Sequence, residues 1–368
     1  MKVLQFIPSL ASGGAERLVL DLCNEMADQG IDVYLCTIQN PKMYDYGFYM
    51  NDLNKNVKFS TLNQTKGFKF SNLFKLIREI QRIKPDIIHG HLSIVLYFYF
   101  LIPLFLNIPF FRTIHTLAEK DCPNKWFRLI NKLYFRLGLI KVITISDECN
   151  RSYERFYKLF NAQLILNGTR RSVKTDQFDK TSEEIEGLKF QHSDIVFVHI
   201  ARYHILKNQK LLIDVFNRLE TENTGCVLLI IGDWSFCDEA RELSATAKSS
   251  IHFLGTKNNV VDYLMCSDAF CLTSEYEGLP ISLLEAISCG CVPVCTSVGG
   301  IKDIVKDGIS GFLSDEISSS SYYSAIRRFI DNKDKINREL LINIFNDHFL
   351  ISHTAQNHIK LYQSFIKK

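Results

Sequence analysis

The stretch Asp268-Ala-Phe-Cys-Leu-Thr-Ser274 is followed closely by Glu277-Gly-Leu-Pro-Ile-Ser-Leu-Leu-Glu285. The first stretch is short and apolar, which is typical of a buried strand that runs into a loop. In the second stretch, Pro280 fits the first position of a helix, where its missing N–H costs no hydrogen bond. Together they predict a strand–loop–helix unit, the repeating element of a parallel sheet.

The start of the predicted helix offers an anion site between two carboxylates. Backbone amides in a first helical turn lack partners within the helix and lie at its positive end, so they attract phosphate. The residues around this site are Gly278, Leu279, Pro280, Ile281 and Ser282. Glu277 precedes the site. Glu285 lies roughly 6–8 Å along the helix axis from the predicted start of the helix at Pro280 or Ile281. One carboxylate can accept hydrogen bonds from a sugar and the other from a ribose. The alternative is a surface helix with two unrelated glutamates.

Strand-like and helical stretches alternate along most of the chain. Strands are predicted at residues 3–7, 33–38, 86–89, 111–114, 142–145, 195–201, 227–231, 251–254, 269–272 and 292–295. Amphipathic helices are predicted between them, for example at 15–29, 70–84 and 208–219. This order predicts an α/β fold with two Rossmann-like, doubly wound parallel-sheet domains that face a central crevice.

Chain length and charge constrain the domains and their partners. A chain of 368 residues is too long for one ordinary core and suits two domains, which we place at 1–170 and 186–349. The polar stretch 169–191 is the predicted linker. Residues 1–170 carry 22 Lys and Arg against 14 Asp and Glu, and the remainder carries 21 against 26. The basic first half indicates a membrane surface or a phosphate-bearing acceptor, unless the charge is merely solvated.

The eleven cysteines are an odd number, and many of them lie in apolar stretches. None forms a Cys-x-x-Cys pair or a Cys/His cluster with zinc spacing. They are typical of small buried side chains in a reducing compartment. We therefore expect a cytoplasmic protein that binds no metal.

Two segments bear on membrane contact. Residues 92–111 are apolar over about the length that spans a bilayer. Pro103, Asn107 and Pro109 divide them, so we interpret them as a buried helix and strand rather than a transmembrane span. Residues 66–84 combine a basic face with an apolar stripe, as interfacial helices do. Either an ordinary packed helix or peripheral binding to anionic lipid explains that stripe, and the basic first half favours lipid.

Glycines and histidines follow predicted strands of the first domain, at the edge where α/β sheets bind ligands. Ser12-Gly13-Gly14-Ala15 comes after the first strand, where paired glycines let the backbone approach a phosphate. The sequence there is not G-x-G-x-x-G, which argues against a nicotinamide enzyme. His115 ends a strand and is expected to point into the crevice, or else is a satisfied structural residue. His89 and His91 are expected to line the acceptor side or to position their loop, and Asn167 is expected to face the cleft.

Two basic residues, Arg202 and Lys207, follow the first predicted strand of the second domain. Two fixed cations beside a diphosphate would neutralise charge as the leaving group departs, which accelerates transfer without a metal. A pair of solvated basic side chains is the alternative.

The two glutamates, the E-G-L-P sequence between them and the following Gly290-Cys-Val-Pro293-Val resemble the glutamate-x7-glutamate motif of retaining glycosyltransferases of family four. The resemblance covers essentially the whole chain and implies the GT-B fold, with a C-terminal helix at 350–368 that packs back on the first domain. It implies transfer of a sugar from a UDP- or GDP-sugar to a glycan or lipid-linked acceptor in cell-surface polysaccharide biosynthesis. It implies retained anomeric configuration, no cofactor and no nucleic-acid partner.

The resemblance also assigns roles to individual residues. Arg202 and Lys207 would hold the diphosphate, Glu277 would bind the sugar hydroxyls and Glu285 would bind the ribose hydroxyls. Gly13 and Gly14 would offer backbone to the donor, and His115 would contact the transferred sugar. Gly232 would lie next to the nucleotide, and Leu254 would lie beside the base. Ala201 stands where the family often has glycine, which leaves the cations intact and changes the local loop. No side chain is assigned as nucleophile.

Two other functions are compatible with this architecture. A non-hydrolysing nucleotide-sugar epimerase would convert the donor without an acceptor. A non-catalytic nucleotide-sugar-binding subunit would need no transfer machinery, and the combination of Arg202, Lys207, Glu277 and Glu285 argues against it. For a transferase, we expect a cytoplasmic location, peripheral on the inner face of the membrane.

Overall fold

The computed structural model describes residues 1–44, 46–64, 68–235 and 237–366. The chain forms two compact units. Unit 1 consists of Met1–Thr169 and Phe349–Lys368, and unit 2 consists of Arg170–His348. Each unit contains one parallel sheet.

In the described residues, unit 1 has a seven-stranded sheet in the order β3-β2-β1-β4-β5-β6-β7. Its strands are all parallel: β1 (Lys2–Ile7), β2 (Asp32–Gln39), β3 (Lys58–Gln64), β4 (Ile87–His91), β5 (Phe110–Ile114), β6 (Ile140–Thr144) and β7 (Gln163–Leu164). The helices are α1 (Gly14–Asp28), α2 (Phe70–Ile83), α3 (Val95–Leu101), α4 (Ala118–Asp121), α5 (Lys125–Arg136), α6 (Asp147–Tyr157) and, after unit 2, α15 (Ile351–Phe365). Short 3₁₀ turns lie at Met50–Asp52, Leu92–Ile94 and Ile102–Leu104.

Unit 2, over its described residues, has a six-stranded parallel sheet in the order β10-β9-β8-β11-β12-β13. The strands are β8 (Ile195–Ile200), β9 (Cys226–Ile231), β10 (Ile251–Gly255), β11 (Ala269–Leu272), β12 (Val292–Thr296) and β13 (Phe312–Ser314). The helices are α7 (Phe178–Glu186), α8 (Gln209–Thr221), α9 (Asp238–Ser244), α10 (Val260–Met265), α11 (Ile281–Ser288), α12 (Ile301–Ile304), α13 (Ser319–Asn332) and α14 (Arg338–His348). Further 3₁₀ turns lie at Ile205–Lys207 and Lys333–Lys335.

The central strands are apolar on both faces because both faces are covered. Every residue of β9, β11 and β12 is buried, as is every residue of β4 and β5 in unit 1. A strand buried on both sides loses the alternation of apolar and polar residues and becomes a continuous apolar run. The prediction of two doubly wound parallel sheets is confirmed.

The stretch 169–191, predicted as a linker, belongs to unit 2 except for Thr169, and it contains α7. The helix has few apolar residues and is held largely by polar contacts. The hydroxyl of Tyr263 donates to Glu184 at 2.7 Å, and Lys257 forms an ion pair with the same carboxylate at 3.1 Å. Asp262 accepts hydrogen bonds from the backbone and the hydroxyl of Thr175. The linker prediction was wrong because polar composition does not distinguish such a helix from a loop.

The apolar segment 92–111 folds as a helix followed by a strand, as the sequence predicted. It contains α3, a 3₁₀ turn at Ile102–Leu104 and the start of β5, and its Tyr97, Phe98 and Leu101 belong to the core of unit 1. Among the described residues, no helix has the length and apolar character that crossing a bilayer requires.

The amphipathic segment 66–84 was predicted as an interfacial helix, and its first two residues, Lys66 and Gly67, lie outside the described residues. The rest forms α2. The apolar stripe of α2 faces the core, where Leu73, Leu76, Ile80 and Ile83 are buried. It is therefore an ordinary packed helix, which was the alternative interpretation.

Candidate functional site

The candidate site of unit 2 lies where the strand order of its sheet changes direction. β8 pairs with β9 on one side and with β11 on the other, so the chain passes from one half of the sheet to the other at this point. Loops at the carboxyl ends of strands that flank such a switch point form the binding crevice of α/β folds. Arg202 and Lys207 follow β8, and Glu277 follows β11.

The structure brings Lys207 and Glu277 into direct contact. Lys207 Nζ lies 2.6 Å from Glu277 Oε1, and the hydroxyl of Ser274 donates to the same oxygen at 2.6 Å. The side chains are 27% and 12% exposed, so the pair is partly shielded from water. Glu277 Oε2 has no partner in the part of the chain that is described. The carboxylate is thus held by one oxygen while the other can accept hydrogen bonds from a ligand.

Backbone contacts join the loops that carry this pair. The amide of Glu275 donates to the carbonyl of Leu206 at 2.9 Å, and the hydroxyl of Thr273 donates to the carbonyl of Lys207 at 2.9 Å. Gly299 (φ +50°) packs against the Glu277 backbone so closely that a side chain at this position would overlap the Glu277 carbonyl. Both the positive φ and this overlap require glycine at position 299. The backbone around Gly299 thus packs directly on the Glu277 loop.

Arg202 is placed on the same edge by two residues that sequence analysis missed, His199 and Gln209. The Gln209 amide donates to the Arg202 carbonyl at 3.1 Å and to His199 Nε2 at 3.4 Å. His199 Nδ1 donates to the carbonyl of Cys271 at 2.9 Å. Burial lowers the pKa of His199 to about 4, so the ring is neutral and can accept at Nε2. The Arg202 guanidinium is exposed and forms no ion pair with any described residue.

The helix that follows Glu277 begins one residue later than predicted. Pro280 is the N-cap of α11, with extended backbone angles (φ −71°, ψ 126°), and not its first helical residue. No side chain caps this helix end, so the amides of Ile281 and Ser282 point outward from the first turn. Glu285 lies in the second turn and is half-buried, as is Ser282, whereas Gly278 and Leu279 are buried.

Gly232 and Leu254 lie at the carboxyl ends of β9 and β10. The Gly232 amide donates to the Gly255 carbonyl at 2.9 Å, and a side chain at 232 (φ +147°) would overlap the Ala201 carbonyl next to Arg202. Leu254 is half-buried and is the last but one residue of β10. Gly232 therefore joins the end of β9 to the loop that carries Arg202, whereas Leu254 lies one strand further out, on the edge strand β10.

An aromatic cluster, also missed from the sequence, lies beside these strand ends. The ring of Trp234 packs edge-on against Tyr203 at 5.3 Å and Phe253 at 4.9 Å between centroids. Trp234 Nε1 is buried without a hydrogen-bond partner among the described residues. A buried indole N–H without a partner is costly, so a ligand that supplies an acceptor here would be favoured.

In unit 1, the Gly13–Gly14 turn follows β1, which lies at the switch point of its own sheet beside β4. Gly13 is the N-cap of α1. The carboxylate of Glu16 folds back over this N-cap, and a side chain at Gly13 would overlap it. This arrangement matches the acidic half of a capping box, which stabilises a helix start. The anion site predicted at this helix end is therefore already occupied by a carboxylate of the protein.

A buried hydrogen-bond network connects β1, β4, the end of β5 and α15. His115 Nε2 contacts His91 Nδ1 at 3.0 Å, and His91 Nε2 contacts Gln5 Oε1 at 2.8 Å. The Gln5 amide in turn donates to the hydroxyl of Tyr362 at 3.4 Å. His91 is thus buried, and the prediction that it lines the acceptor side was wrong. It contacts His115 instead, whereas the alternative interpretation was that it positions its own loop.

The Gln5 end of this network fixes which ring nitrogens donate. Because the Gln5 amide nitrogen faces Tyr362, Gln5 Oε1 accepts from His91 Nε2. Burial holds the pKa of His91 well below its usual range, so the ring is neutral and accepts at Nδ1. His115 therefore donates from Nε2. Its Nδ1, which has no partner among the described residues, is left as an acceptor for a hydroxyl group.

Two other predicted acceptor-side residues are also buried within unit 1. Both ring nitrogens of His89 are occupied, by the Tyr362 hydroxyl at 2.5 Å and the Thr113 hydroxyl at 2.8 Å. Asn167 is only 4% exposed, and its backbone N–H donates to the Ile145 carbonyl. Neither side chain is open to an acceptor, so both predictions were wrong. In the described part of the chain, no three His, Cys, Asp or Glu residues are placed to hold a metal ion.

Three buried histidines, His89, His91 and His358, and the half-buried His115 should make unit 1 sensitive to acid. Burial is the main cause that lowers the pKa of His115 to about 3 and of His358 to about 4, and the pKa values of His89 and His91 are also well below normal. The unfolded chain therefore binds protons near pH 6.5 that the folded unit excludes. Stability is expected to fall as pH drops below about 6.5, by up to about 1.4 kcal/mol per pH unit for each such ring.

Native-state hydrogen exchange of β4 and β5 at pH 7.5, 6.5 and 5.5 measures this effect within unit 1. His91→Gln should reduce the pH dependence of this stability by the contribution of about one proton bound on unfolding. Replacement of the exposed His192 in unit 2 should leave that pH dependence unchanged. Stability of β4 and β5 that does not change between pH 7.5 and 5.5 would contradict the expected linkage.

Comparisons with families of known proteins match both units. A family model described as "Glycosyl transferases group 1" matches residues 180–343, and one described as "Glycosyltransferase Family 4" matches residues 12–170. Together the two matches cover most of the chain, with a gap of nine residues near the start of unit 2.

Individual relatives match over nearly the whole length. The chain is 23% identical to the capsular polysaccharide biosynthesis glycosyltransferase CapH of Staphylococcus aureus, over 99% of both proteins. It is 24% identical to the UDP-Gal:alpha-D-GlcNAc-diphosphoundecaprenol alpha-1,3-galactosyltransferase of Escherichia coli, over 93% of this chain and 92% of that protein. The crystal structure of Anabaena HepE in complex with UDP and glucose aligns with a TM-score of 0.81 at 18% identity, over 99% of this chain and 100% of the other. This likeness confirms the GT-B fold.

Proposed function

The chain belongs to glycosyltransferase family 4, and from this premise we propose that it transfers a sugar from a UDP- or GDP-sugar to a glycan or lipid-linked acceptor with retained anomeric configuration. The observation that carries the proposal is the Lys207–Glu277 pair at the switch point of unit 2, on the same edge as Arg202 and the uncapped start of α11. The cations and the outward amides on this edge suit a diphosphate, and the Glu277 carboxylate suits the hydroxyl groups of a sugar. The relatives named above support a polysaccharide or lipid-linked acceptor.

In the proposed complex, each group has a separate task. Arg202, Lys207 and the amides of Ile281 and Ser282 bind the diphosphate. Glu277 accepts sugar hydroxyls at Oε2, and Glu285 accepts those of the ribose. Gly232 and Leu254 lie next to the nucleoside, and the Trp234 N–H supplies a donor nearby. In unit 1, His115 accepts a sugar hydroxyl at Nδ1. The proposed contact of the donor with the Gly13–Gly14 backbone requires displacement of the Glu16 carboxylate, which lies against Gly13.

The proposed chemistry needs no protein nucleophile. The bond between the anomeric carbon and the terminal phosphate oxygen breaks, and negative charge builds on the diphosphate. The acceptor oxygen forms its bond to the anomeric carbon from the same face, and its proton passes to the departing phosphate oxygen. Arg202 and Lys207 stabilise the charge that develops, which is the role that a metal ion has in other transferases.

We propose that the reaction takes place at a cytoplasmic membrane surface, with the protein bound peripherally. A lipid-linked acceptor lies in the plane of the membrane, so an enzyme held at that surface meets it more often than one in solution. The excess of basic residues in the first 170 supports attraction to anionic lipid.

The test is incubation with a panel of UDP- and GDP-sugars, with and without lipid-linked and glycan acceptors, in the presence and absence of EDTA. We expect nucleotide release that depends on acceptor and persists in EDTA. Proton NMR of the product should show the anomeric configuration of the donor. An inverted product would overturn the mechanism, and conversion of the donor without acceptor would instead support an epimerase.

A further inference from the structure

Helix α5 presents its apolar side to solvent. The exposed large apolar side chains on and directly after it are Trp126, Phe127, Leu129, Ile130, Leu133 and Leu137. Most follow the spacing of three and four residues that forms one stripe along a helix. In a packed helix such a stripe faces the core, and only Phe135 and Asn131 of α5 are buried.

The side of α5 that faces the protein is held by polar groups. The buried Asn131 accepts a hydrogen bond from the Tyr99 hydroxyl at 2.6 Å and donates to the Tyr157 hydroxyl at 3.3 Å. Arg128 donates to the carbonyl of Phe156 and lies over its ring at 4.2 Å. Rotating the helix to bury its apolar stripe would leave Asn131 and its partners without hydrogen bonds, which is costly. The exposed stripe is therefore a fixed feature of unit 1.

The charge of α5 indicates what covers the stripe. The helix contains Lys125, Arg128, Lys132 and Arg136 and has no acidic residue. An apolar face with aromatic and leucine side chains, flanked by Lys and Arg, is the composition of helices that lie in the interface of anionic bilayers. A second protein copy would bring the same positive charges together, which opposes self-association through this face.

We propose that α5 is the membrane-docking helix of this protein. Trp126, Leu129 and Leu133 enter the boundary between lipid headgroups and acyl chains, while the basic residues contact anionic headgroups. This replaces α2, the helix that the sequence suggested, because the apolar stripe of α2 is buried. The inference deepens the proposed peripheral location and rests on it, but it does not depend on the transfer chemistry.

The two tryptophans of the chain provide an internal probe. Trp126 is 67% exposed, whereas Trp234, in unit 2, is 9% exposed. In a Trp234→Phe variant, fluorescence reports Trp126 alone. With vesicles that contain anionic phosphatidylglycerol, we expect a blue shift of its emission and co-sedimentation of the protein. Binding to neutral phosphatidylcholine vesicles should be weaker, and salt should reduce binding to the anionic ones.

Matched variants separate α5 from the rest of the surface. Leu129→Ser with Leu133→Ser should lower vesicle binding at least about tenfold. Phe70→Ser with Phe74→Ser, which alters exposed apolar residues of α2, should leave binding unchanged. Circular dichroism should show that both pairs fold, since exposed substitutions affect stability little.

The outcomes of this experiment are independent of any sugar. Unchanged vesicle binding in the Leu129/Leu133 variant would overturn the proposal, as would equal binding to neutral and anionic vesicles. A blue shift of Trp126 that depends on protein concentration without lipid, with a dimer by light scattering, would assign the face to a second copy instead. Because nucleotide release is not measured, failure here would leave the proposed transferase activity standing.

Discussion

Replacing Lys207 by methionine is expected to lower kcat by at least about a hundredfold. This is the loss that follows removal of one preorganised hydrogen-bond donor in other enzymes. Charge on the diphosphate grows as the sugar bond breaks, so Lys207 should bind the transition state more tightly than the bound donor. KM for the donor should therefore change much less than kcat. Methionine keeps most of the length and packing of the side chain, so the loss reports the ammonium group.

The matched control is Lys210→Met, three residues further along. Lys210 is exposed and forms an ordinary helix-surface ion pair with Asp214 at 2.6 Å. Such a pair contributes little to stability or function, so the variant should turn over like the parent. Arg202→Ala should resemble Lys207→Met in kcat. Full turnover by the Lys207 variant would remove it from the proposed catalytic groups.

Replacing Glu277 by alanine is expected to lower kcat and raise the donor KM together, by about a hundredfold or more in kcat/KM. The change removes the proposed acceptor for sugar hydroxyls. It also leaves Lys207 and Ser274 without the partner that orients them. Glu277→Gln keeps the shape of the side chain but loses its charge. Compared with Glu277→Ala, it should restore part of the donor KM but not kcat. Glu285→Ala should chiefly raise the donor KM, because the ribose does not change during the reaction.

Glu275→Ala serves as the control for this series. Its side chain is exposed and only two residues away, so it reports any general effect of altering the loop. Steady-state kinetics with each variant, combined with a Lys207/Glu277 double-mutant cycle, measures the coupling within the pair. Additive effects of the two substitutions would contradict a shared site, since residues in direct contact are expected to couple.

Much of the fold could be predicted because the central strands carry a strong local signal. Residues 227–231 and 269–272 are continuous apolar runs, and the structure places strands there within one residue. The strands that sequence analysis missed, β3, β7 and β13, are edge strands. β7 consists of two exposed residues, and β3 has a single buried one. These two strands bury little, so their sequences carry little apolar pattern, whereas β13 buries two of its three residues and is too short to show a pattern.

The same holds for the candidate site: residues with a local sequence signal could be predicted, and residues that depend on distant partners could not. Arg202, Lys207 and Glu277 could be located because each lies in the loop that follows a recognisable strand, and topology brings the ends of neighbouring strands together. The network of Gln5, His91 and His115 could not, since it depends on partners far apart in the chain. The outward face of α5 was also missed, because periodicity shows that a helix has an apolar face but does not show whether that face is covered.

The contact between Gln5 and Tyr362 has a consequence for the order in which the protein is made. The two residues are separated by 357 positions, and α15 packs against α1. Unit 2 is one continuous segment, so it can finish folding as soon as it has left the ribosome. Unit 1 starts first but must wait until α15 has been translated. During synthesis, the first-made half is therefore the last to be completed.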